Sequence, residues 1–360
     1  MRRGRVTGVR RAWRGAVELD VDVDGRTALA LAYPALVGDP QVGDAVLLNT
    51  TAVSLGLGTG GYHLVVALTD RLPDDPDGPG HLVKARYTPL QATVLGVEEE
   101  ASPWQQALAG VDSLEGLPVV IADLHSALPA VIAGVRDVRA QARVCYVMTD
   151  GGALPVWFSR TVSELVDAGW LVGTVTVGQA FGGDLEAVTL HSGLLAAKVA
   201  LAADVVVVTQ GPGNLGAGTP WGFSGVAAGE AVNAVAALGG RAVASLRISD
   251  ADPRERHQGV SHHSRTAYGR VALARAEVVV PDLPMPLAGE VSADVVASGI
   301  AARHDVVPVD CTGLLDALRS CPVELSTMGR SLDEDTAYFL AAAAAGRHAA
   351  SISANRAAPR

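Results

Sequence analysis

The feature that most constrains the fold is a change of hydrophobic period near residues 98–103. Beyond it, short and nearly continuous apolar runs alternate with Ala-rich helical segments. Strands that are apolar on both faces belong to a parallel sheet that crossover helices cover on both sides. The sequence therefore predicts a doubly wound, mostly parallel α/β domain over residues 115–348. Its strands are expected at 118–122, 143–148, 171–177, 204–209, 241–246, 277–280 and 306–309.

Residues 1–97 have a different pattern, in which apolar and polar residues alternate as they do in half-buried strands. The clearest run extends from Val17 to Asp24, and the turn-forming pair Asp24-Gly25 closes it. Several short strands separated by turns indicate a small all-β barrel or sandwich. The expected fold class is therefore α+β with two domains, 1–97 and 115–348. A flexible tail is expected over 349–360.

Charge and composition restrict the partners of this chain. The 360 residues have a formal net charge of −10, which argues against nucleic-acid binding because that function needs a basic surface. No uncharged apolar run reaches the ~18 residues needed to cross a bilayer, so no membrane association is expected. The three cysteines lack CxxC spacing, which is typical of a reducing, cytoplasmic setting. The oligomeric state stays open, a homo-oligomer included.

Polar, glycine-bearing loops follow five consecutive strands of the predicted sheet. Open α/β sheets bind ligands at the edge formed by the carboxyl ends of their strands, so we expect the five loops to meet in one site. The first three loops contribute the candidates His125, Asp150 and Asp184. The loop after the fifth strand, residues 247–264, holds two Asp, one Glu, three Arg and three His. Side chains of this kind are rarely buried without a partner, which favours a binding site over core packing.

The fourth loop contains Gly211-x-Gly213-x-x-Gly216, the spacing of a dinucleotide-binding fingerprint. Here the pattern follows the fourth strand rather than the first, and Pro212 removes one amide donor. The loop therefore favours a general anion-binding site over a NAD site. Asn214 and Thr219 are additional candidates for ligand binding in the same loop.

Two chemistries are compatible with segment 247–264. In the first, a histidine and a carboxylate act as a general acid and base, since imidazole titrates near neutral pH. The candidate catalytic residues are His257, His262, Asp150, Asp184 and Asp252. Arg254 and Arg256 would bind the carboxylate or phosphate of a small anionic ligand, or would instead pair with neighbouring Asp and Glu residues.

The second chemistry is the binding of a divalent metal such as zinc, iron or manganese. The candidate ligands are His257, His262, His263 and Asp252. Their spacing matches no established metal motif. The adjacent residues His262 and His263 are expected to point apart on regular secondary structure.

Several long blocks of the sequence are similar to a known family. They are 48–63, 86–91, 149–155, 180–187, 222–225, 252–257 and 261–263. With these blocks the chain resembles, over nearly its whole length, a bacterial family catalogued as domain of unknown function 3866. The resemblance implies no established activity.

The loops and their titratable residues together predict an enzyme. We expect a hydrolase or a transferase that binds a small anionic ligand at the strand ends and uses a His–carboxylate pair. The alternative is a non-catalytic ligand sensor or interaction protein that uses the same pocket.

Overall fold

The computed structural model describes residues 1–58, 60–75 and 77–357. Its N-terminal part is a closed barrel with the strand order β1-β2-β3-β5-β4. The strands are β1 (Arg2–Trp13), β2 (Ala16–Val23), β3 (Arg26–Ala32), β4 (Ala45–Asn49) and β5 (His63–Leu68). Helix α1 (Pro34–Val37) follows β3, and helix α2 (Thr51–Ser54) follows β4. Only the β3–β5 pair is parallel, and with the helix after β3 this is the arrangement of an OB-fold barrel.

The barrel ends at Leu68, earlier than the predicted boundary at residue 97. Strands β6 (Leu82–Lys84) and β7 (Ala92–Val94) form a separate antiparallel hairpin that packs on the α/β part. Lys84 is fully buried there, and its ammonium group donates to the carbonyl oxygens of Ala180 (3.0 Å) and Ala187 (2.9 Å). The hairpin has an alternating pattern like that of the barrel strands, which is why the sequence placed it in the same module.

The α/β part contains an eight-stranded sheet in which all neighbouring strands are parallel. In spatial order the strands are β11 (Leu185–Glu186), β10 (Gly173–Thr176), β9 (Val144–Thr149), β12 (Val205–Gln210), β8 (Pro118–Ile121), β13 (Arg241–Ser245), β16 (Glu277–Pro281) and β17 (Asp305–Val309). The seven predicted strands coincide with seven of these. The edge strand β11 has two residues, too few for a recognisable hydrophobic pattern.

Helices cover both faces of the sheet. The remaining α-helices are α3 (Gln105–Leu108), α4 (Leu128–Val138), α5 (Arg160–Asp167), α6 (Leu190–Val199), α7 (Ala227–Ala237), α8 (His262–Thr266), α9 (Leu287–Ala297), α10 (Ile300–Arg303), α11 (Leu314–Arg319) and α12 (Thr336–Ala357). One apolar layer includes α6, α7 and α9, and the opposite layer includes α4, α5, α11 and α12. Two small ribbons lie outside the sheet: β14 (Ile248–Ser249) with β15 (Gly259–Val260), and β18 (Ser326–Thr327) with β19 (Arg330–Ser331).

Helix α12 is a core element, which corrects the prediction of a flexible tail from residue 349. Ala349 and Ala350 are fully buried, because the helix packs along α4. The two helices are so close that a Cβ atom at Gly134 would overlap the carbonyl oxygen of Ala343. Residues 358–360 of the predicted tail lie outside the described residues. Among the described residues, no helix has both the length and the apolar character needed to cross a bilayer.

The barrel contacts the α/β part around Trp157. The indole nitrogen of Trp13 donates to the carbonyl oxygen of Trp157 (2.7 Å), and the guanidinium of Arg14 pairs with Asp184. The Trp157 ring lies where a side chain at Gly15 would have to be, and Gly15 has a positive φ of 76°. Only glycine fits this turn without strain. The barrel is thereby fixed near the β10–β11 end of the sheet.

Candidate functional site

The chain leaves β8 and its neighbour β12 toward opposite faces of the sheet. After β8 it enters the layer that contains α4, and after β12 it enters the layer that contains α7. Open α/β sheets bind ligands at such a switch point. Here the crevice, whose lining includes Asp123 and Gln210, has a volume of only about 10 Å³. The open pocket lies beside it, toward β13.

This pocket has a volume of about 80 Å³. Asn214, Gly216 and Gly218 contribute one wall from the loop after β12, and Met328 contributes another from the β18–β19 turn. The rest of the lining comes from segment 247–264: Arg247, Arg254, Arg256, His257, His262 and His263. The part of the sequence richest in titratable groups therefore does line a cavity at the carboxyl edge of the sheet.

Three histidines come together in this pocket. One ring nitrogen from each of His257, His262 and His263 lies within 4.8 Å of the corresponding atoms of the other two. The prediction that His262 and His263 point apart is wrong, since their ring centroids are 4.4 Å apart. Both residues belong to the first turn of α8, where successive side chains diverge by only about 100° and tilt toward the helix N-terminus.

Each of two imidazole rings is fixed through its Nδ1 atom. Nδ1 of His263 lies 3.3 Å from Oδ2 of the buried carboxylate Asp123, as an ion-pair contact, and 3.4 Å from Nη1 of Arg247. The His263 ring stacks on Phe223 with a centroid distance of 3.9 Å. Nδ1 of His257 lies 2.7 Å from the hydroxyl of Ser261. The Nε2 atom of His262 is buried and has no hydrogen-bond partner within the described part of the chain. A proton on Nδ1 of each ring would leave the lone pair of the other nitrogen available in the centre of the cluster.

Burial lowers the pKa of His257 to about 3, and the positive charges of Arg247 and Arg254 act in the same direction. Burial also lowers the pKa of His262 to about 4, with smaller contributions from His263 and Arg256. Both imidazoles are therefore neutral at physiological pH. Burial alone would raise the pKa of Asp123, but the interaction with His263 and the charge of Arg247 hold it below its ordinary value. Asp123 is thus an anion under the cluster.

Asp252 is not available as a metal ligand or as a catalytic base, which corrects that prediction. Its carboxylate is buried and accepts hydrogen bonds from the guanidinium of Arg254 at 2.7 and 2.8 Å. Arg247 and Arg330 each donate to it at 3.3 Å. Burial opposes ionisation, but the hydrogen bonds from Arg254 outweigh it and lower the pKa of Asp252. Asp252 instead positions the arginines at the pocket wall.

Arg256 differs from the other arginines of the pocket. It is exposed and forms no hydrogen bond or ion pair with the residues that the structure describes. It also lines a wider groove of about 590 Å³ that is continuous with the histidine pocket through His262 and Gly218. Arg265 and Arg270 lie along this groove, and the guanidinium of Arg270 is 5.0 Å from the ring centroid of Trp221. The site is therefore a small histidine pocket that opens into a basic groove.

The candidates from the first three loops, His125, Asp150 and Asp184, do not line this pocket. Asp150 accepts a hydrogen bond from the backbone of Gln179 (2.8 Å) at the end of β9. Strand β9 is three strand spacings from β13, or about 14 Å. Asp184 is occupied by Arg14 and by the Thr174 hydroxyl (2.8 Å).

His125 is occupied on both sides of its ring. Its Nδ1 lies 3.0 Å from the hydroxyl of Tyr146, and its Nε2 lies 2.8 Å from that of Ser159. Burial lowers the pKa of His125 to about 4. The expected meeting of five loops in one site is thus wrong for the loops after β9 and β10, because β12 is inserted between β9 and β8.

The glycine-rich loop after β12 lacks dinucleotide-binding geometry. Gly213 has a positive φ of 92°, and Gly216 pairs with Phe223 in an isolated bridge. Helix α7 begins only at Ala227, so Gly216 does not open a helix whose N-terminus could bind a pyrophosphate. A side chain at the buried Gly211 would overlap the carbonyl oxygen of Ala153, so this glycine serves packing.

The two other candidates in this loop differ from one another. The Thr219 hydroxyl accepts a hydrogen bond from the backbone of Gly222 (3.0 Å) in an exposed turn, outside the pocket lining. Asn214 lines the pocket, and its side-chain oxygen accepts hydrogen bonds from Gln210 (2.8 Å) and Ser224 (3.1 Å). These bonds hold the amide group of Asn214 beside the histidines.

Asp123 and Arg247 were not among the predicted site residues. The signal for both was present, because each is the first charged residue after a buried apolar strand, β8 and β13 respectively. A residue immediately after a strand stays at the sheet edge. His125, two positions further along, turns away toward Tyr146.

The family model described as "Protein of unknown function (DUF3866)" matches residues 29–346. The chain belongs to this family. The matched region begins within β3 and includes every residue of the pocket. No curated protein and no solved structure matched the chain.

Proposed function

We propose that the protein is an enzyme, a hydrolase or transferase, that binds a small phosphate- or carboxylate-bearing ligand in the histidine pocket. The observation that carries this proposal is the buried pair His263–Asp123, with Nδ1 and Oδ2 3.3 Å apart, at the bottom of an arginine-lined cavity. A carboxylate that binds one imidazole nitrogen fixes the tautomer and leaves the other nitrogen for proton transfer. Asp123 thus takes the role that the sequence suggested for Asp150, Asp184 or Asp252.

The anion specificity follows from the arginines. Arg247 and Arg254 are already held by Asp252, so their positive charge is partly offset. Arg256 has no such partner among the described residues, and a guanidinium can bind a carboxylate or phosphate with two parallel hydrogen bonds. The anionic group of the ligand would therefore lie between Arg256 and the histidines. The remainder of the ligand would extend along the groove toward Arg270 and Trp221.

Water is the simplest acceptor for such a reaction. Ser261, the hydroxyl nearest to His257, is fully buried and also accepts a hydrogen bond from the backbone of His263 (3.2 Å) as the N-cap of α8. This role makes Ser261 a structural group rather than a nucleophile. The proposal therefore assigns general acid–base catalysis on water or on an incoming acceptor group.

The test has a binding arm and a turnover arm. Binding of inorganic phosphate, phenylphosphonate and benzoate is measured by calorimetry, and a panel of phosphomonoesters and carboxylic esters is then assayed for product release. We expect Arg256→Gln to weaken anion binding roughly 10- to 100-fold, since a hydrogen bond to a charged group contributes about 1.5–3 kcal/mol. The matched control is Arg303→Gln, an exposed arginine on α10, which should leave binding unchanged.

The variant Asp123→Asn separates catalysis from binding. We expect turnover to fall by at least about 100-fold with ligand affinity largely retained, because general acid–base catalysis contributes factors of this size. Equal anion affinity in the wild type, Arg256→Gln and Arg303→Gln would reject the anion site. Anions that bind through Arg256 without any substrate being consumed would reject the enzyme and support the alternative, a non-catalytic sensor.

A further inference from the structure

We propose that His257, His262 and His263 bind a single divalent transition-metal ion of the zinc type, with one coordination position open to the pocket. The inference rests on the proposed function and deepens it, because it concerns the same pocket. A histidine nitrogen that binds a metal cannot transfer a proton, so in the metal-bound protein the water on the ion would take the role of the His263 nitrogen. The evidence for the metal site is the arrangement of the three imidazoles and of the groups that contact them. The metal site does not depend on the turnover of any substrate.

The distances between the donor atoms are close to those of a metal site. A tetrahedral zinc ion with Zn–N bonds of about 2.0–2.1 Å holds its nitrogen ligands about 3.4 Å apart. The three candidate nitrogens lie within 4.8 Å of one another, so shifts of about 1 Å would complete the triangle. His262 can supply such a shift, since it is only half-buried and its Nε2 has no partner in the described structure.

The groups behind the histidines are those that a metal site requires. Ligating histidines almost always place their second nitrogen against a carboxylate, a hydroxyl or a carbonyl, which orients the ring and increases its basicity. His263 has Asp123 in this position, and His257 has the Ser261 hydroxyl. The ring planes of Phe223 and His263 are inclined by only 3°, and this stacking restricts rotation of the His263 ring. The rings of His263 and His257 are therefore already oriented in the absence of an ion.

The donor set selects the class of ion. Three imidazole nitrogens suit zinc, cobalt, nickel or copper, whereas magnesium and calcium require oxygen ligands. The carboxylate of Asp252, an acidic group of the same segment, is fully engaged by arginines. Three histidines with an open position form the donor set of catalytic rather than structural zinc sites. Zinc in such a set lowers the pKa of a bound water to about 7, which suits hydrolysis at neutral pH.

The surrounding charges complement an ion that binds together with an anionic ligand. Asp123 supplies one negative charge behind His263, and Arg247 and Arg256 supply positive charge on the pocket side. A divalent cation would repel the arginines unless an anion lies between them. We therefore expect the metal and the anionic group of the ligand to strengthen each other's binding.

The experiment uses the full chain without a polyhistidine tag, because such a tag binds the same ions. Zinc content is measured by mass spectrometry after dialysis, and cobalt(II) replaces zinc as a spectroscopic probe. We expect one zinc ion per chain and the intense visible absorption of four-coordinate cobalt. His262→Ala and His257→Gln should weaken zinc binding by at least about 100-fold, and Asp123→Asn by about 10- to 100-fold.

The matched control is His191→Gln on the exposed start of α6, which should bind zinc as the wild type does. Near-UV circular dichroism of the metal-free variants shows whether each has folded. Zinc stoichiometry that His262→Ala and His257→Gln leave unchanged would overturn the metal site, as would the absence of zinc and cobalt binding in the folded wild type. Phosphate titrations with and without chelator separate the two proposals: Arg256-dependent binding that survives the chelator, in a chain that takes up no metal, retains only the anion site.

Discussion

The two ends of the sheet's carboxyl edge are both rich in titratable side chains, but they differ in how completely those side chains are bonded. Around β10 and β11, Lys84, Glu186 and Asp184 each have several hydrogen-bond partners. Around β8 and β13, three buried atoms lack a hydrogen bond within the described structure, namely Nε2 of His262, Oε1 of Gln210 and Oδ2 of Asp123. Beside β11 the corresponding atom is Oε2 of Glu98, whose other oxygen accepts from the backbone of Val188. We infer that unmet hydrogen-bonding capacity, rather than the density of charged residues, distinguishes a binding site from a structural network.

The strongest test of this comparison is Lys84→Met in the β10–β11 network. It removes the cation that lies 3.5 Å from the buried carboxylate of Glu186 and leaves the carbonyl oxygens of Ala180 and Ala187 without a donor. We expect a loss of about 3–5 kcal/mol in the free energy of unfolding at pH 8, measured by urea denaturation. Anion binding at the histidine pocket should stay unchanged. Adding Glu186→Gln should recover part of the loss, and a cost below about 1 kcal/mol would contradict the structural role of Lys84.

The pH dependence of stability tests His125, which is bonded on both sides. Burial lowers its pKa from the ordinary 6.5 to about 4. Between pH 6.5 and 4, His125 binds a proton in the unfolded chain but not in the folded chain. The free energy of unfolding therefore falls as the pH falls. We expect this group to contribute a loss of about 3 kcal/mol over that window.

The contribution of His125 is isolated by comparison with His125→Gln, which cannot titrate. Other groups, including Glu186 with its pKa raised to about 7 by burial, affect both proteins alike and cancel in the difference. Urea denaturation at several pH values gives the two curves. Parallel curves between pH 6.5 and 4 would show that His125 is protonated in the folded protein.

The smallest effects are expected for the two carboxylates that sequence analysis had placed in the catalytic site. Asp184→Asn weakens a partly exposed ion pair with Arg14, which should cost about 1 kcal/mol of stability. Asp150→Ala removes one exposed hydrogen bond to Gln179 and should cost about 0.5 kcal/mol or less. Neither change should alter ligand binding or turnover. A loss of turnover in Asp150→Ala with the fold intact would show that both ends of the sheet's carboxyl edge belong to one functional site.

Much of the fold was predictable because its signals are local. The apolar runs of the parallel sheet identified seven strands, and the pair Asp24-Gly25 identified the β2–β3 hairpin. The role of α12 was not predictable in this way. Its Ala-rich sequence gives no apolar stripe, and its burial depends on the contact with Gly134 of α4, far away in the chain.

The candidate site was predictable only in part, because local sequence patterns do not determine the order of the strands in the sheet. Segment 247–264 contains the three histidines, and its density of titratable groups was enough to predict a binding site there. The partner carboxylate was missed, since the choice among Asp123, Asp150 and Asp184 depends on which strand lies beside β13. The strand beside β13 is β8, and Asp123 follows β8, so Asp123 is the carboxylate that lies near the histidines.

The close packing of α4 against α12 also has a consequence for biosynthesis. The ribosome produces β8 and α4 early, yet the helix that shields them is translated only after the rest of the sheet. Until then the nascent chain displays a broad apolar face, a state prone to misassociation. We expect the growing polypeptide to depend on chaperones during this interval.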